Sequence, residues 1–338
     1  MSKTVKEGTY DKYLTYEKLM EAHIKSRKGK CYRKEIIEFN LKQEEYIIWL
    51  YSMLKNMNYK HGGYTKFYIT KPKIRKIEKS RYIDRIVHRW VVDNFLSPIF
   101  VPTFIDTSYA CINKRGMHRA CLYVQKTMKH CKRIWENYYI LKMDVSKYFD
   151  NINKEILIKI IERKIKDEKI IWLLKTILYS QKKEKGIEIG NYTSQMFANI
   201  YLNEVDQYIK HKLHIKYYCR YLDDSIVIVK KKEEAKYVLK KITEFLEKNL
   251  QLKLNKKTQI FKSKQGVNFC GYKINEYRLK IRDKGKRNLK NKIKKLKKMI
   301  LKGNLTSKEA KKYLAGHIGY IKIADVKNLT ERLFFIEQ

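Results

Sequence analysis

Tyr217–Val229, YYCRYLDDSIVIV, sets two adjacent carboxylates between two apolar, β-branched and aromatic runs. That pattern predicts a β-hairpin whose turn carries Asp223-Asp224. Two unit charges about 4 Å apart repel by about 4 kcal/mol at an effective dielectric near 20. A hard divalent cation such as Mg²⁺, which takes carboxylate oxygens and shares its other positions with phosphates, would offset the repulsion. The ordinary alternative for an Asp-Asp dipeptide is a solvated hairpin tip, so the rest of the chain must decide.

Tyr139–Asp144, YILKMD, is a second strand-like run ending in a carboxylate, followed by VSKYFDNIN. A strand delivering Asp144 beside a hairpin delivering Asp223 and Asp224 would supply three carboxylates. Three suffice for two metals about 3.5–4 Å apart, one activating an attacking hydroxyl and one bracing a leaving pyrophosphate.

The two segments resemble the first and third palm motifs of reverse transcriptases, Asp-x-x-x-[Phe/Tyr] and [Tyr/Phe]-x-Asp-Asp, in the same order. Between them, Gly186–Asp206 reads GIEIGNYTSQMFANIYLNEVD. Most of that family has Gln-Gly-x-x-x-Ser-Pro here, whereas this chain has Ile189-Gly190-Asn191-Tyr192-Thr193-Ser194-Gln195. The departure resembles the reverse transcriptases of diversity-generating retroelements, among the group II intron-like bacterial enzymes. FYITKPKIRKI, RYIDRIVHRWV, SYACINKRGMHRA, NFCGYKI and AGHIGYIKIAD resemble the same family's finger, primer-grip and thumb segments, so the likeness runs from about Glu38 to the end.

Composition points the same way. A net charge of +42 over 338 residues requires a polyanionic partner. No apolar run approaches the roughly 18 residues of a spanning helix and the N-terminus has no apolar signal core, so a membrane is not expected and a cytoplasmic location is. The six cysteines never take the spacing of a zinc knuckle and are expected as reduced thiols.

Elements follow from periodicity. Ile36, Ile37, Phe39, Leu41, Tyr46, Ile47, Leu50 and Leu54 suit helices over 35–58. Lys66–Ile77 alternates basic and apolar residues around Pro72, as a fingertip hairpin would. Ile86, Val87, Trp90, Val91 and Phe95 form a helical face that Ser97-Pro98 is expected to end. Phe197, Ile200, Tyr201, Val205, Tyr208 and Ile209 define one palm helix; Val238, Ile242, Phe245, Leu246 and Leu250 define another. Leu289, Ile293, Leu296 and Ile300 recur at steps of four, three and four with lysines between them, predicting a helix with one packed and one cationic face. On its own this is a solvated surface helix; after a primer-grip-like turn it is read as a thumb helix holding phosphates without reading bases.

The resemblance implies an α+β right-hand polymerase, with an antiparallel palm sheet backed by helices and a helical thumb. Its expected parts are N-terminal helices and fingers at 1–135, palm at 136–276 with a fingers return at about 152–188, and thumb at 277–338. It implies catalytic Asp144, Asp223 and Asp224, with metals held by these and Val145: two Mg²⁺, with Mn²⁺ as substitute. Phe149 matches the steric gate that excludes a 2′-hydroxyl, against the ordinary reading of a core aromatic, and the N–H groups of Lys147 and Tyr148 would face the triphosphate. Arg75, with Lys73 or Lys71, resembles the clamp on the β- and γ-phosphates, where a guanidinium binds two oxygens at once. Ile189 and Gly190 belong with the nucleotide. Lys257 sits where a general acid for pyrophosphate is expected, or is a plain phosphate contact. Phe269, Gly271 and Tyr272 match the primer grip, and His88 and His118 are read as structural.

The expected function is RNA-directed DNA synthesis on a template RNA with deoxynucleoside triphosphates, passing through an RNA–DNA duplex. In the diversity-generating type, copying is mutagenic at template adenines and a small basic accessory variability protein is a partner. The alternatives are a bacterial antiphage-defence or group II intron-like reverse transcriptase and, from another class, a catalytically silent RNA-binding protein. The shortness of the chain past the thumb segment speaks against an intron maturase domain, and the absence of a Val-Thr-Gly element against a retron enzyme. Three clustered carboxylates speak against silence, because a pure RNA binder has no need of them.

Overall fold

In the computed structural model, which describes residues 4–70, 74–181 and 183–325, the chain divides into two units. One comprises Met1–Asp106, Val145–His214 and Ile242–Leu254, the other Thr107–Asp144, Ile215–Lys241 and Asn255–Gln338.

In the first unit, the basic-apolar alternation around Pro72 becomes an antiparallel hairpin of β1 (Tyr64–Ile69) and β2 (Arg75–Ser80), in register from Tyr64↔Ser80 to Ile69↔Arg75. Lys71 and Lys73 lie outside the described residues. β1 is largely exposed while β2 buries Glu78 and Ser80. The Tyr82–Val91 helix buries Ile86, Val87, Trp90 and Val91, as its periodicity predicts. Ser97-Pro98 does not end it. The backbone widens into a π-helical turn over Val92–Leu96 and then makes a further helical turn, Ser97–Phe100. Pro98 sits in the first positions of that new turn, where no intrahelical N–H is required, so it starts a helix instead of stopping one. The Tyr192–Gln207 helix buries twelve of its sixteen residues, the polar Thr193, Ser194, Asn199, Asn203 and Asp206 among them, and so lies within the core.

The second unit holds a four-stranded antiparallel sheet of β3 (Tyr139–Asp144), β4 (Tyr217–Tyr221), β5 (Asp224–Val229) and β6 (Gln259–Lys262), in the order β4-β5-β3-β6. Burial is nearly continuous along β5, the sign of an inner strand covered on both faces, whereas the edge strand β6 buries none of its four residues. The Met117–Trp135 helix contributes Ala120, Cys121, Val124, Met128 and Cys131 to the core formed with Ile140, Cys219, Ile226 and Ile228. Along the free side of β4, Arg220 N–H donates to Thr107 O and Tyr109 N–H to Arg220 O, so the SYACINKR segment covers that sheet edge. A smaller meander of β7 (Val267–Phe269), β8 (Tyr272–Ile274) and β9 (Leu279–Ile281) precedes the Asp283–Leu301 helix. That helix buries Leu289, Ile293 and Leu296 and leaves Lys290, Lys294, Lys295 and Lys298 exposed. The Ser307–Ile321 helix starts with a reciprocal capping box between Thr306 and Glu309. Residues 326–338 of the expected thumb lie outside the described residues. All six cysteines are free, and among the described residues no helix is long and apolar enough to cross a membrane.

Candidate active site

Asp144 ends β3 and Asp224 opens β5, and the antiparallel register makes them direct partners. Asp223 lies in the two-residue turn between β4 and β5, after Leu222 at φ 53°. A bulky residue at positive φ in a hairpin turn costs on the order of 1–3 kcal/mol, and such strain concentrates at functional sites. The nearly fully buried Arg220 secures the turn by donating from Nη1 to Leu222 O at 3.1 Å.

Each flanking carboxylate has a specific neighbour. Asp144 Oδ2 accepts from Asn255 Nδ2 at 3.2 Å, and the Asn255 backbone N–H donates to Asp144 O at 2.7 Å. Lys142 Nζ lies 3.2 Å from Asp224 Oδ2 and also donates to Asn268 O at 2.6 Å. Burial pushes the Asp224 carboxyl up to about 7; Lys142 opposes the rise, and the like charges of Asp144 and Asp223 add to it. Asp224 Oδ1 is buried without a hydrogen-bond partner.

Among the described residues no three His, Cys, Asp or Glu side chains converge as a ready-made metal cage. The donor set nevertheless fits a hard divalent cation in kind. It offers oxygen only, on two facing carboxylates with a third at the adjoining turn, and one of those oxygens is buried and unsatisfied.

Lys142 and Asn255 escaped the sequence reading. For Lys142 a signal existed, since it stands two residues before Asp144 and strand residues at that spacing share a face. For Asn255, 111 positions from its partner, there was none. Lys257 is exposed, and its backbone N–H donates to Asn255 Oδ1 at 3.0 Å.

The residues expected around the primer occupy the β7–β8 turn, where Cys270 (φ 45°) and Gly271 (φ 87°) both take positive φ, as a type I′ hairpin requires. Phe269 and Tyr272 are core residues, so their side chains are committed to packing and only their backbone can meet a ligand. A Cβ at Gly271 would collide with the Tyr320 hydroxyl, which donates to Gly271 O at 2.6 Å. The glycine thus serves an internal close approach.

The residues expected around the nucleotide belong to the first unit. Lys147, at φ 44°, precedes the short Tyr148–Asn151 helix. Tyr148 is buried and donates to Ala198 O at 2.5 Å. Phe149 is only half-buried and stands outside the buried core, with its ring 5.7 Å from that of Tyr148. A strap from Gly186 to Gly190 holds this segment: Gly186 N–H donates to Ile152 O and Ile187 N–H to Phe149 O, both at 2.8 Å. The far end of the strap meets β2, where Glu78 N–H donates to Ile189 O at 3.2 Å. Gly190 takes φ 128°, and a Cβ there would lie 3.2 Å from Ile77 Cγ2 and 3.4 Å from Glu78 O. Arg75 is exposed at the start of β2.

An antiparallel sheet backed by helices, carrying paired aspartates at a strand end and a hairpin turn, defines the palm of a right-hand polymerase. Residues 60–274 match the family described as reverse transcriptase (RNA-dependent DNA polymerase), and the chain belongs to that family. It is 28% identical to protein YkfC of Escherichia coli K12, over 60% of this chain and 63% of that protein. It is 24% identical to the group II intron-encoded protein LtrA of Lactococcus lactis subsp. cremoris, over 68% of this chain and 50% of that protein. In fold it is similar to the telomerase from Candida albicans, solved with a TWJ fragment of telomeric RNA, with a TM-score of 0.52 at 13% identity over 72% of this chain and 50% of that one. The matches thus span half to just under two thirds of the relatives' own lengths.

Proposed function

We propose that the chain is an RNA-directed DNA polymerase that copies a template RNA into cDNA from deoxynucleoside triphosphates. The observation that carries this reading is the facing pair Asp144 and Asp224, with a buried unsatisfied oxygen, beside the Asp223 turn and within the residues that match the family. Asp144, Asp223 and Asp224, with the Val145 position, would hold two Mg²⁺ or, in their place, Mn²⁺. When bound, these ions activate the primer hydroxyl and brace the leaving pyrophosphate. Lys142 balances the charge on Asp224, and Asn255 orients Asp144. Phe149 bars the 2′-hydroxyl, a role its half-buried ring suits better than a core position. Arg75 clamps the terminal phosphates, the Lys147 and Tyr148 amides face them, and Lys257 is a proton donor for pyrophosphate. Ile189 and Gly190 border the nucleotide, and the backbone of Phe269, Gly271 and Tyr272 meets the primer. The cationic face of Asp283–Leu301 follows the template–product duplex through its phosphates.

Ile189-Gly190 with Ser194-Gln195 supports the diversity-generating type, with mutagenic copying at template adenines and a basic accessory variability protein. The likeness to LtrA favours the second reading, a group II intron-like or defence enzyme. A template repeat and an imperfect copy of it beside the coding sequence would decide between them. The activity itself is tested by Asp223→Asn, which should abolish Mg²⁺-dependent DNA synthesis on a primed RNA and leave salt-sensitive RNA binding near the parent's. Full extension by this variant would refute the site.

A further inference from the structure

A chain of buried hydrogen bonds in the first unit ends on the segment just described. His61 Nε2 and His88 Nε2 are 3.2 Å apart, and His88 Nδ1 lies 2.6 Å from Thr193 Oγ1. The His61 side chain and the residues Asp84, His88 and Thr193 are each about 1% exposed. Beside the far end stands Asp84, whose Oδ2 lies 3.9 Å from His61 Nδ1 and which accepts from Tyr59 Oη at 2.6 Å and from Gly62 N at 3.1 Å.

The proton positions follow from one backbone bond. Gly63 N–H donates to His61 Nδ1 at 3.1 Å, so a neutral His61 carries its hydrogen on Nε2. It therefore donates to His88 Nε2, which leaves the His88 hydrogen on Nδ1, donating to Thr193. Both rings are held neutral mainly by burial, His88 with its pKa lowered to about 3. Thr193 stands in the first turn of the Tyr192–Gln207 helix, three residues after Gly190. Ile189 and Gly190 are thus held from two sides, by β2 through Glu78 and by the helix start that His88 pins.

We propose that His88 is a positioning residue for nucleotide selection, fixing through Thr193 the helix start that sets Ile189-Gly190 against the incoming nucleotide. This rests on the polymerase reading. Glutamine carries an acceptor and a donor on one head group and can stand in for the imidazole; leucine fills the space but leaves two buried polar groups unpaired.

Single-nucleotide extension on a primed RNA should show the KM for dNTP rising about tenfold in His88→Leu, the scale of one uncompensated buried hydrogen bond. kcat and RNA affinity should stay within about twofold, and His88→Gln should restore KM. Thr193→Val should match His88→Leu, and the double variant should be no worse than either, because both break one chain. Thr193→Val decides the matter if His88→Leu fails to fold. Unchanged KM in Thr193→Val, or equal loss in His88→Gln and His88→Leu, would overturn the proposal. A parent that makes no cDNA would instead strike the polymerase reading. Independently of activity, ¹⁵N shifts of the rings at pH 7 should report His61 as the Nε2–H and His88 as the Nδ1–H tautomer, and the opposite assignment would overturn the chain.

Discussion

Lys142→Met removes the cation paired with Asp224 while keeping most of the length of the side chain. Exposed ion pairs contribute about 0–1 kcal/mol and breaking a buried one costs about 3–5 kcal/mol. Here both side chains are 26% exposed, between those limits, so a loss of about 1–2 kcal/mol is expected in metal-free buffer at pH 8. The effect must depend on pH. The folded-state pKa of Asp224, about 7, lies above its ordinary 3.8. The folded state therefore binds the extra proton between these values, and the contribution of Asp224 to stability falls as pH rises from about 4 to 7. Without Lys142 its pKa climbs further. At pH 5 the carboxyl is protonated in both proteins and the difference should shrink toward zero. Urea unfolding of parent and variant at pH 5 and pH 8, in the presence of a chelator, measures this. Equal losses at both values would refute the reasoning and leave the Asn268 carbonyl bond or the packing of the lysine stem as what Lys142 provides.

Phe149→Ala should admit ribonucleotides far more readily in primer extension; a variant that still rejects them as the parent does would make Phe149 a packing residue. The Ile189 side chain can neither donate nor accept a hydrogen bond, so Ile189→Gln should lower misincorporation opposite template adenine, by about tenfold for each 1.4 kcal/mol of discrimination regained. Sequenced cDNA with equal error at all four template bases in the parent would sink that mechanism. His23 is buried, bonded to Tyr82 Oη at 3.0 Å, and its pKa is lowered to about 4, chiefly by burial and then by Arg27. A depressed histidine contributes stability above about pH 6.5 that is lost as pH falls toward 4. His23→Gln should therefore show a shallower acid decline, by on the order of 2–3 kcal/mol at pH 4, and parallel declines would count against this.

Alternation and helical period are local, and where they are strong the structure follows them. YYCRYLDDSIVIV is the hairpin, YILKMD is the partner strand, and the four-three-four spacing of Leu289, Ile293, Leu296 and Ile300 is a one-faced helix. The order of the motifs likewise carried the family, and the strand pattern placed Asp144 and Asp224 at the strand ends where the register pairs them. What the sequence could not decide was everything set by which distant segments meet. Pro98 starts a helical turn because the backbone widens before it. Phe269 and Tyr272 spend their rings on the core, since β7 and β8 pack against the Met117–Trp135 helix. Asn255 reaches Asp144 across 111 positions and His88 reaches Thr193 across 105. Such pairs leave no period in the chain. They exist only once the register of β3 on β5 and the packing of the helices have been chosen, and that choice is made by the burial of side chains far apart in sequence.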